Sequence, residues 1–270
     1  MIRFSQALNG AVAAIALTQL ASAADLPRTS PAPNAPVVLA TDWSGLYFGG
    51  SLGGRWTDST WMTTAMGDPL GPVDPTTTPS SWRSSTFRIG GYIGGNWQIN
   101  PIWVVGLEAD AAWGNNKKNL AGIPGTFGSG GQGADLGAQN FDSSSITLGW
   151  DGSIRARVGF LIAPTWLLYG TGGFAWQQIT ISASCNGSLF NSSWCVAPRS
   201  ESYPTTMVGW TAGGGVETQF WSHWFLRAEY RYSSYGNVSH IFFADTPIDQ
   251  VAVTQSLKTN LGLIGLSYRY

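Results

Sequence analysis

The chain has 270 residues, of which 35 are glycine, 14 are tryptophan and only 11% are charged, whereas about a quarter are charged in an ordinary soluble domain. Hydrophobic residues make up 43% and the mean hydropathy is +0.00, which excludes a disordered chain and a bundle of apolar membrane helices. The net charge of −1 excludes the basic surface that binding to nucleic acid requires.

The N-terminus has the features of an export signal. Arg3 precedes an apolar stretch at 11–17, and Ala21-Ser22-Ala23 is a small-residue cleavage pattern, so residues 1–23 are predicted to be a signal peptide. Residues 24–42 are rich in proline and predict an extended periplasmic linker. The folded domain is therefore expected to span 43–270.

The remaining sequence alternates between apolar and polar residues. In Phe87–Ile99, for example, Ile89 and Ile93 share one face, and Arg88 lies on the other; a period of two predicts a β-strand. In Trp166–Ile181 the sequence does not determine which face points inward, because both faces are mildly apolar. Ile146 and Leu148 are assigned to the same apolar face as Ile154. Eight such segments occur: Gly45–Trp56, Phe87–Ile99, Trp103–Trp113, Ile146–Ile162, Trp166–Ile181, Val208–Phe220, Trp224–Tyr232 and Lys258–Tyr270.

Alternation alone fits both a soluble lipocalin-like barrel and a membrane barrel, which are inside-out versions of each other. The loop lengths favour the membrane barrel, because short joins alternate with long ones at 57–81, 114–142, 182–204 and 233–252. The sequence thus predicts an all-β, eight-stranded antiparallel up-and-down transmembrane β-barrel with the long loops outside. Five tryptophans beside the short joins are expected to form an interfacial girdle: Trp97, Trp103, Trp166, Trp221 and Trp224.

Two segments carry a family resemblance. Trp43-Ser44-Gly45-Leu46-Tyr47-Phe48-Gly49 and Gly265-Leu266-Ser267-Tyr268-Arg269-Tyr270 resemble the first and last strands of the small alphaproteobacterial outer-membrane β-barrel proteins of the porin family, the surface-antigen type. The resemblance implies a bacterial outer-membrane location and an abundant envelope protein, in some members with porin-like, adhesive or haem-binding roles. It also implies that Gly265, Tyr268 and Tyr270 carry the C-terminal signal for the barrel-insertion machinery.

The parity of the strands places many charged residues inside the barrel. Because an eight-stranded barrel is just wide enough to be filled by side chains, these charges are expected to pair and plug the interior. The alternative is a narrow porin-like diffusion channel lined by the same residues. The predicted network consists of Arg55, Arg88, Glu108, Asp110, Asp151, Arg155, Arg157, Glu217, Arg227, Glu229 and Arg231.

Cys185 and Cys195 are the only cysteines. Both fall in the third long loop of an exported chain, where the oxidising periplasm favours a disulfide over two free thiols.

Motifs that would indicate an enzyme fail in their context. Gly49-Gly50-Ser51-Leu52-Gly53 matches the nucleophile-elbow string but lies within a strand, and the glycines at 128, 130 and 133 precede no helix. His223 and His240 are predicted at opposite ends of the barrel, which precludes a paired-histidine metal site. No catalytic, cofactor or metal site is therefore predicted, and His240 with a loop Ser or Asp is the only enzymatic alternative.

The long loops contain apolar side chains that could bind a partner or pack into small loop cores. Lys117 and Lys118 could contact lipopolysaccharide phosphates or be ordinary solvated charges. The sequence favours a role in envelope structure and surface interaction, with outer-membrane lipid, lipopolysaccharide and a host or surface ligand as candidate partners and no nucleic acid. The loop aromatics are Trp61, Phe127, Phe141, Phe190, Trp194, Phe242 and Phe243.

Overall fold

The computed structural model describes residues 42–67, 73–126, 142–185, 195 and 197–270. The predicted signal peptide, the linker up to residue 41, and the loop aromatics Phe127, Phe141, Phe190 and Trp194 lie outside the described residues. Within them, no helix is long and apolar enough to cross a bilayer.

Antiparallel strands form a closed ring. The pairing order is β1, β2, β3, β5, β6, β7, β8 and β9, and β9 pairs back onto β1, which confirms the predicted all-β antiparallel fold. The additional strand β4 pairs with β5 beyond the end of β3, so β3 and β4 are two pieces of one interrupted wall strand. The strands are β1 (Gly45–Met66), β2 (Ser80–Gln98), β3 (Trp103–Trp113), β4 (Asn116–Ala121), β5 (Ser143–Ala163), β6 (Trp166–Cys185), β7 (Arg199–Trp221), β8 (Trp224–Phe242) and β9 (Val251–Arg269).

Short turns join strands at one end of the ring, here called the turn end, and long connections join them at the loop end. The strands extend much further toward the loop end than the sequence predicts, since β1 continues to Met66 and β8 to Phe242. The predicted loops at 57–81, 182–204 and 233–252 are therefore too long. The outward apolar pattern stops where the prediction ended the strands, but the ladder continues with polar outward residues such as Thr60 and Ser81, whose hydroxyls lie 2.9 Å apart.

An apolar band surrounds the turn-end half of the ring. Its side chains are outward and exposed, including Ile93 at 62% and Leu107 at 56%. The predicted tryptophans Trp97, Trp103, Trp166, Trp221 and Trp224 border the band at the turn end, and a second aromatic girdle of Trp56, Phe87, Trp113, Trp150 and Trp210 borders it on the other side. Between the girdles β3 spans 11 residues, which matches the roughly 9–11 residues of a transmembrane strand.

The face assignment of β5 is wrong at its start. Ile146 and Leu148 are each 2% exposed and point inward, whereas Ile154 is exposed in the band. The cause is an irregularity of the β5–β6 ladder between Leu148 and Asp151, because an extra residue shifts the side-chain parity of a strand. The open parity of β6 is resolved as well: Leu168 faces outward, whereas Leu167 is buried.

The contrast between the band and the loop-end wall yields a test with matched isoleucines. Ile93→Arg places a charge in the middle of the apolar band and is expected to lower the free energy of unfolding in liposomes by about 2–4 kcal/mol. Ile241→Arg, at an outward position that is 49% exposed on the loop-end part of β8, is expected to cost less than about 1 kcal/mol. Denaturant titration of both variants checks the pair, and equal losses would contradict the assignment of the band to lipid.

Candidate functional site

The interior of the ring is filled by inward side chains in three layers. An apolar cluster lies near the turn end, a network of charged groups lies in the middle, and a larger apolar cluster lies toward the loop end. Strand alternation produces this arrangement, because every second residue of each strand points inward.

Glu108 on β3 is a centre of the charged layer. It accepts hydrogen bonds from Arg155, from both terminal nitrogens of Arg227 and from the hydroxyl of Tyr47 at 2.9 Å. The carboxylate is 3% exposed. Glu108 on β3 thus binds arginines from two other strands, β5 and β8.

Asp110 and Asp151 form a second centre. Arg88 bridges them, with Nη2 2.6 Å from Asp110 Oδ2 and Nε 2.8 Å from Asp151 Oδ2. Arg55 contacts Asp151 at 3.0 Å, and Arg231 contacts Asp110 at 3.0 Å. Each carboxylate is again shared by more than one guanidinium.

Glu217 and Glu229 complete the set of interior acids. Arg157 donates to Glu217 at 2.9 Å, and Arg155 lies 2.9 Å and Arg231 2.7 Å from Glu229. All eleven residues proposed from the sequence as an interior network are buried, and each makes at least one ion pair with another member.

Sequence reasoning missed Arg269 and the interior tyrosines. Arg269 is 4% exposed and donates to Glu217 at 2.9 Å, so the layer contains seven arginines and five carboxylates. Arg269 lies between the outward residue Tyr268 and the exposed Tyr270, so strand alternation predicts that its side chain points inward. The guanidinium carbon of Arg227 lies 3.6 Å from the centre of the Tyr92 ring in a cation–π contact, which strand alternation does not predict.

The turn-end cluster closes the interior beneath the charges. It consists of Trp43, Val104, Leu167, Tyr169 and Phe225. Trp43, which precedes β1, is fully buried, packs edge-on against Phe225 and donates from its indole nitrogen to the carbonyl of Pro164 at 3.2 Å.

The loop-end cluster closes the interior on the other side. Trp61 stacks on Phe242 with ring centroids 5.6 Å apart, and both side chains have no exposed surface. Phe243 is also buried in the cluster. Of the two roles that the sequence allowed for the loop aromatics, these three residues therefore pack into a loop core. Cys185 and Cys195 form a disulfide within the same cluster, with their Cα atoms 6.4 Å apart.

The remaining candidate residues lie apart from this interior network. Tyr268 faces outward on β9 and Tyr270 is exposed directly after it, whereas Gly265 faces inward close to Arg227. His240 is at the loop end, 2.7 Å from Glu201 and stacked on Tyr203. Among the described residues, no group of three His, Cys, Asp or Glu side chains could hold a metal ion.

The interior arrangement can provide rigid closure. Charges in a low-dielectric interior are stabilised only when they are paired with good geometry. Each of the five carboxylates is shared by at least two arginines from different strands, so the network ties the walls of the ring together.

Comparisons with known proteins agree with this fold. Residues 10–270 match the family described as Outer membrane protein beta-barrel domain. The chain is 29% identical over 244 residues to the 25 kDa outer-membrane immunogenic protein of Brucella abortus, covering 90% of this chain and 89% of that protein. It is 26% identical to the 22 kDa outer membrane protein of Rhizobium leguminosarum, covering 88% of this chain and 83% of that protein. Among solved structures, the outer membrane protein OprG from Pseudomonas aeruginosa shares the fold with a TM-score of 0.51 and 12% identity, over 85% of this chain and 97% of that one.

Removing one interior carboxylate tests the energetic role of the network. Glu108→Gln leaves the buried guanidinium of Arg227 without a carboxylate partner and is expected to lower the free energy of unfolding by about 3–5 kcal/mol. Asp58→Asn removes half of the exposed pair with Arg83 and is expected to cost at most about 1 kcal/mol.

The double variant Glu108→Gln/Arg227→Gln removes one charge of each sign and is expected to recover part of the loss. Denaturant unfolding in detergent micelles measures all three variants. An effect of Glu108→Gln as small as that of Asp58→Asn would contradict a tightly coupled interior.

Proposed function

The chain belongs to the Outer membrane protein beta-barrel domain family and lies in the bacterial outer membrane, and we propose that it works there as a sealed barrel that anchors an extracellular structure. In this role the interior passes no solute, and the loop end presents a folded surface to the exterior. The three filled layers of the interior carry the proposal.

The charged layer supports closure by its geometry. A conducting pore needs charged groups that face water, whereas the interior arginines and carboxylates contact one another. Arg55, Arg88 and Arg155 are each 1% exposed. Separating such pairs for a passing ion would require breaking buried ion pairs, which costs several kcal/mol each.

The two apolar layers support closure independently. An ion that entered from the turn end would meet Trp43 and Phe225, and one that entered from the loop end would meet Trp61 and Phe242. Removing the hydration shell of an ion at an apolar constriction is unfavourable. We therefore prefer the sealed barrel to the narrow porin-like channel.

The loop-end half supports a role in surface presentation. Its wall is polar outside and apolar inside, as in a soluble domain, so it is suited to standing in water beyond the membrane. The Brucella relatives are named as immunogenic proteins, which accords with a surface that extracellular partners can reach. Candidate partners are lipopolysaccharide and a host or surface ligand, and Gly265, Tyr268 and Tyr270 would serve the insertion machinery during assembly.

An enzymatic role finds little support. The side chain of His240 contacts Glu201, Tyr203 and Phe242, rather than the loop Ser or Asp of the enzymatic alternative. We propose that His240 and Glu201 together hold the start of the β8–β9 connection in place. Glu201 contacts His240 and also accepts a hydrogen bond from the backbone nitrogen of Phe243 at 2.6 Å.

Electrical recording tests the sealed barrel directly. Purified, heat-modifiable protein in planar bilayers is expected to show no channel openings in simple salt, because each end of the charged layer is covered by packed apolar side chains. A known general porin, reconstituted in the same way, serves as the positive control. Reproducible openings, or swelling of proteoliposomes in a small sugar, would contradict the proposal and favour the diffusion channel.

A further inference from the structure

The cations outside the interior network are unevenly distributed around the ring. Among the described residues there are five, and four of them lie on strands β9, β2 and β4 at one side of the ring: Lys258, Arg83, Lys117 and Lys118. The fifth, Arg199, is paired with Asp245 and Asp249 at the far end of β7. One side of the barrel therefore carries a positive surface that the opposite side lacks.

These cations lie at one level, just beyond the aromatic girdle. Asp58 on β1 is directly opposite Arg83 on β2 and Lys258 on β9 in the strand register, and Arg83 Nε lies 2.8 Å from Asp58 Oδ1. Asp58 follows Trp56 by two residues, which places the group about 5–7 Å beyond the girdle along a tilted strand. This is the depth of lipid headgroups.

β4 extends the positive surface around the wall. The side-chain amide of Asn116 donates to the carbonyl of Ser85 at 3.0 Å, which holds the start of β4 beside β2. Lys117 follows this anchor and is exposed. A cleft lined by Trp56, Asp58, Arg83 and Ser85 opens on the outer surface at this level, so the polar groups surround a recess.

We propose that this face is a binding site for one molecule of lipopolysaccharide, with its phosphates on Arg83, Lys258 and Lys117. The inference deepens the proposed function by naming a site for one of its partners. Charge complementarity selects a phosphorylated lipid, and the level of the cations beyond the girdle, at the loop end, selects the outer leaflet.

Paired variants separate the site from the general charge of the protein. Arg83→Gln/Lys258→Gln removes two positive charges from the site, and Gln178→Glu/Ser202→Glu changes the net charge equally on the opposite wall, where both residues are at exposed outward positions of β6 and β7.

The measurement is the binding of purified lipopolysaccharide to the detergent-solubilised full chain by native mass spectrometry, with phosphatidylglycerol as the competing anionic lipid. The site variant is expected to bind lipopolysaccharide about tenfold more weakly than the wild type, while the control variant stays within about twofold. Equal losses in the two variants, no loss in the site variant, or equal competition by phosphatidylglycerol would each overturn the inference. Heat-modifiable migration and the absence of conductance are expected to stay unchanged in every variant, so a failure here leaves the sealed barrel standing.

Discussion

Buried carboxylates that are each shared by arginines of different strands hold the structure together. The carboxylates of Glu108, Asp110 and Asp151 are buried inside the ring, where an unpaired charge would be costly. Because the partners come from different strands, the network depends on the register of the whole ring. A slip of one residue in a single strand would turn its charges toward lipid and its apolar residues inward, so the same pairs that fill the barrel also specify its closure.

The barrel wall extends from the apolar band into the part beyond it, and the β1–β2 and β6–β7 hydrogen-bond ladders continue through both parts without a register shift. In the band, the outward residues are apolar and the inward ones are charged. Beyond Trp56 and Trp113 the pattern reverses, and Trp61, Ile179 and Leu257 point into an apolar core while Ser, Thr and Lys face outward. The reversal needs no change of fold, because strand geometry offers two faces and each environment selects one. The part of the wall within the apolar band and the part beyond it consequently belong to one continuous sheet. This suits a protein whose proposed role lies outside the membrane.

The sequence was informative wherever an outward apolar residue alternated with an inward charge. Parity puts Arg155 and Glu108 on the inward face, where the structure has them buried, and the same rule puts Arg269 there. Three features escaped it for physical reasons. The bulge after Leu148 is a backbone irregularity with no side-chain signature, so Ile146 was put on the wrong face. The loop-end strands reverse their polarity, so a rule that seeks outward apolar residues ends them early. Which carboxylate each arginine contacts depends on the shear of the ring, which a linear sequence does not contain.

The polarity reversal along one strand tests these relations most directly. Single spin labels placed in turn at the outward positions Ser81, Arg83, Phe87, Ile89 and Ile93 of β2 in reconstituted membranes report access to oxygen, which concentrates in lipid, and to a water-soluble nickel chelate. Labels at Phe87, Ile89 and Ile93 are expected to meet oxygen and exclude the chelate, and labels at Ser81 and Arg83 to do the opposite. Chelate access at Ile89 and Ile93 would contradict a lipid-covered band, and chelate exclusion at Ser81 would contradict a wall that stands beyond the membrane.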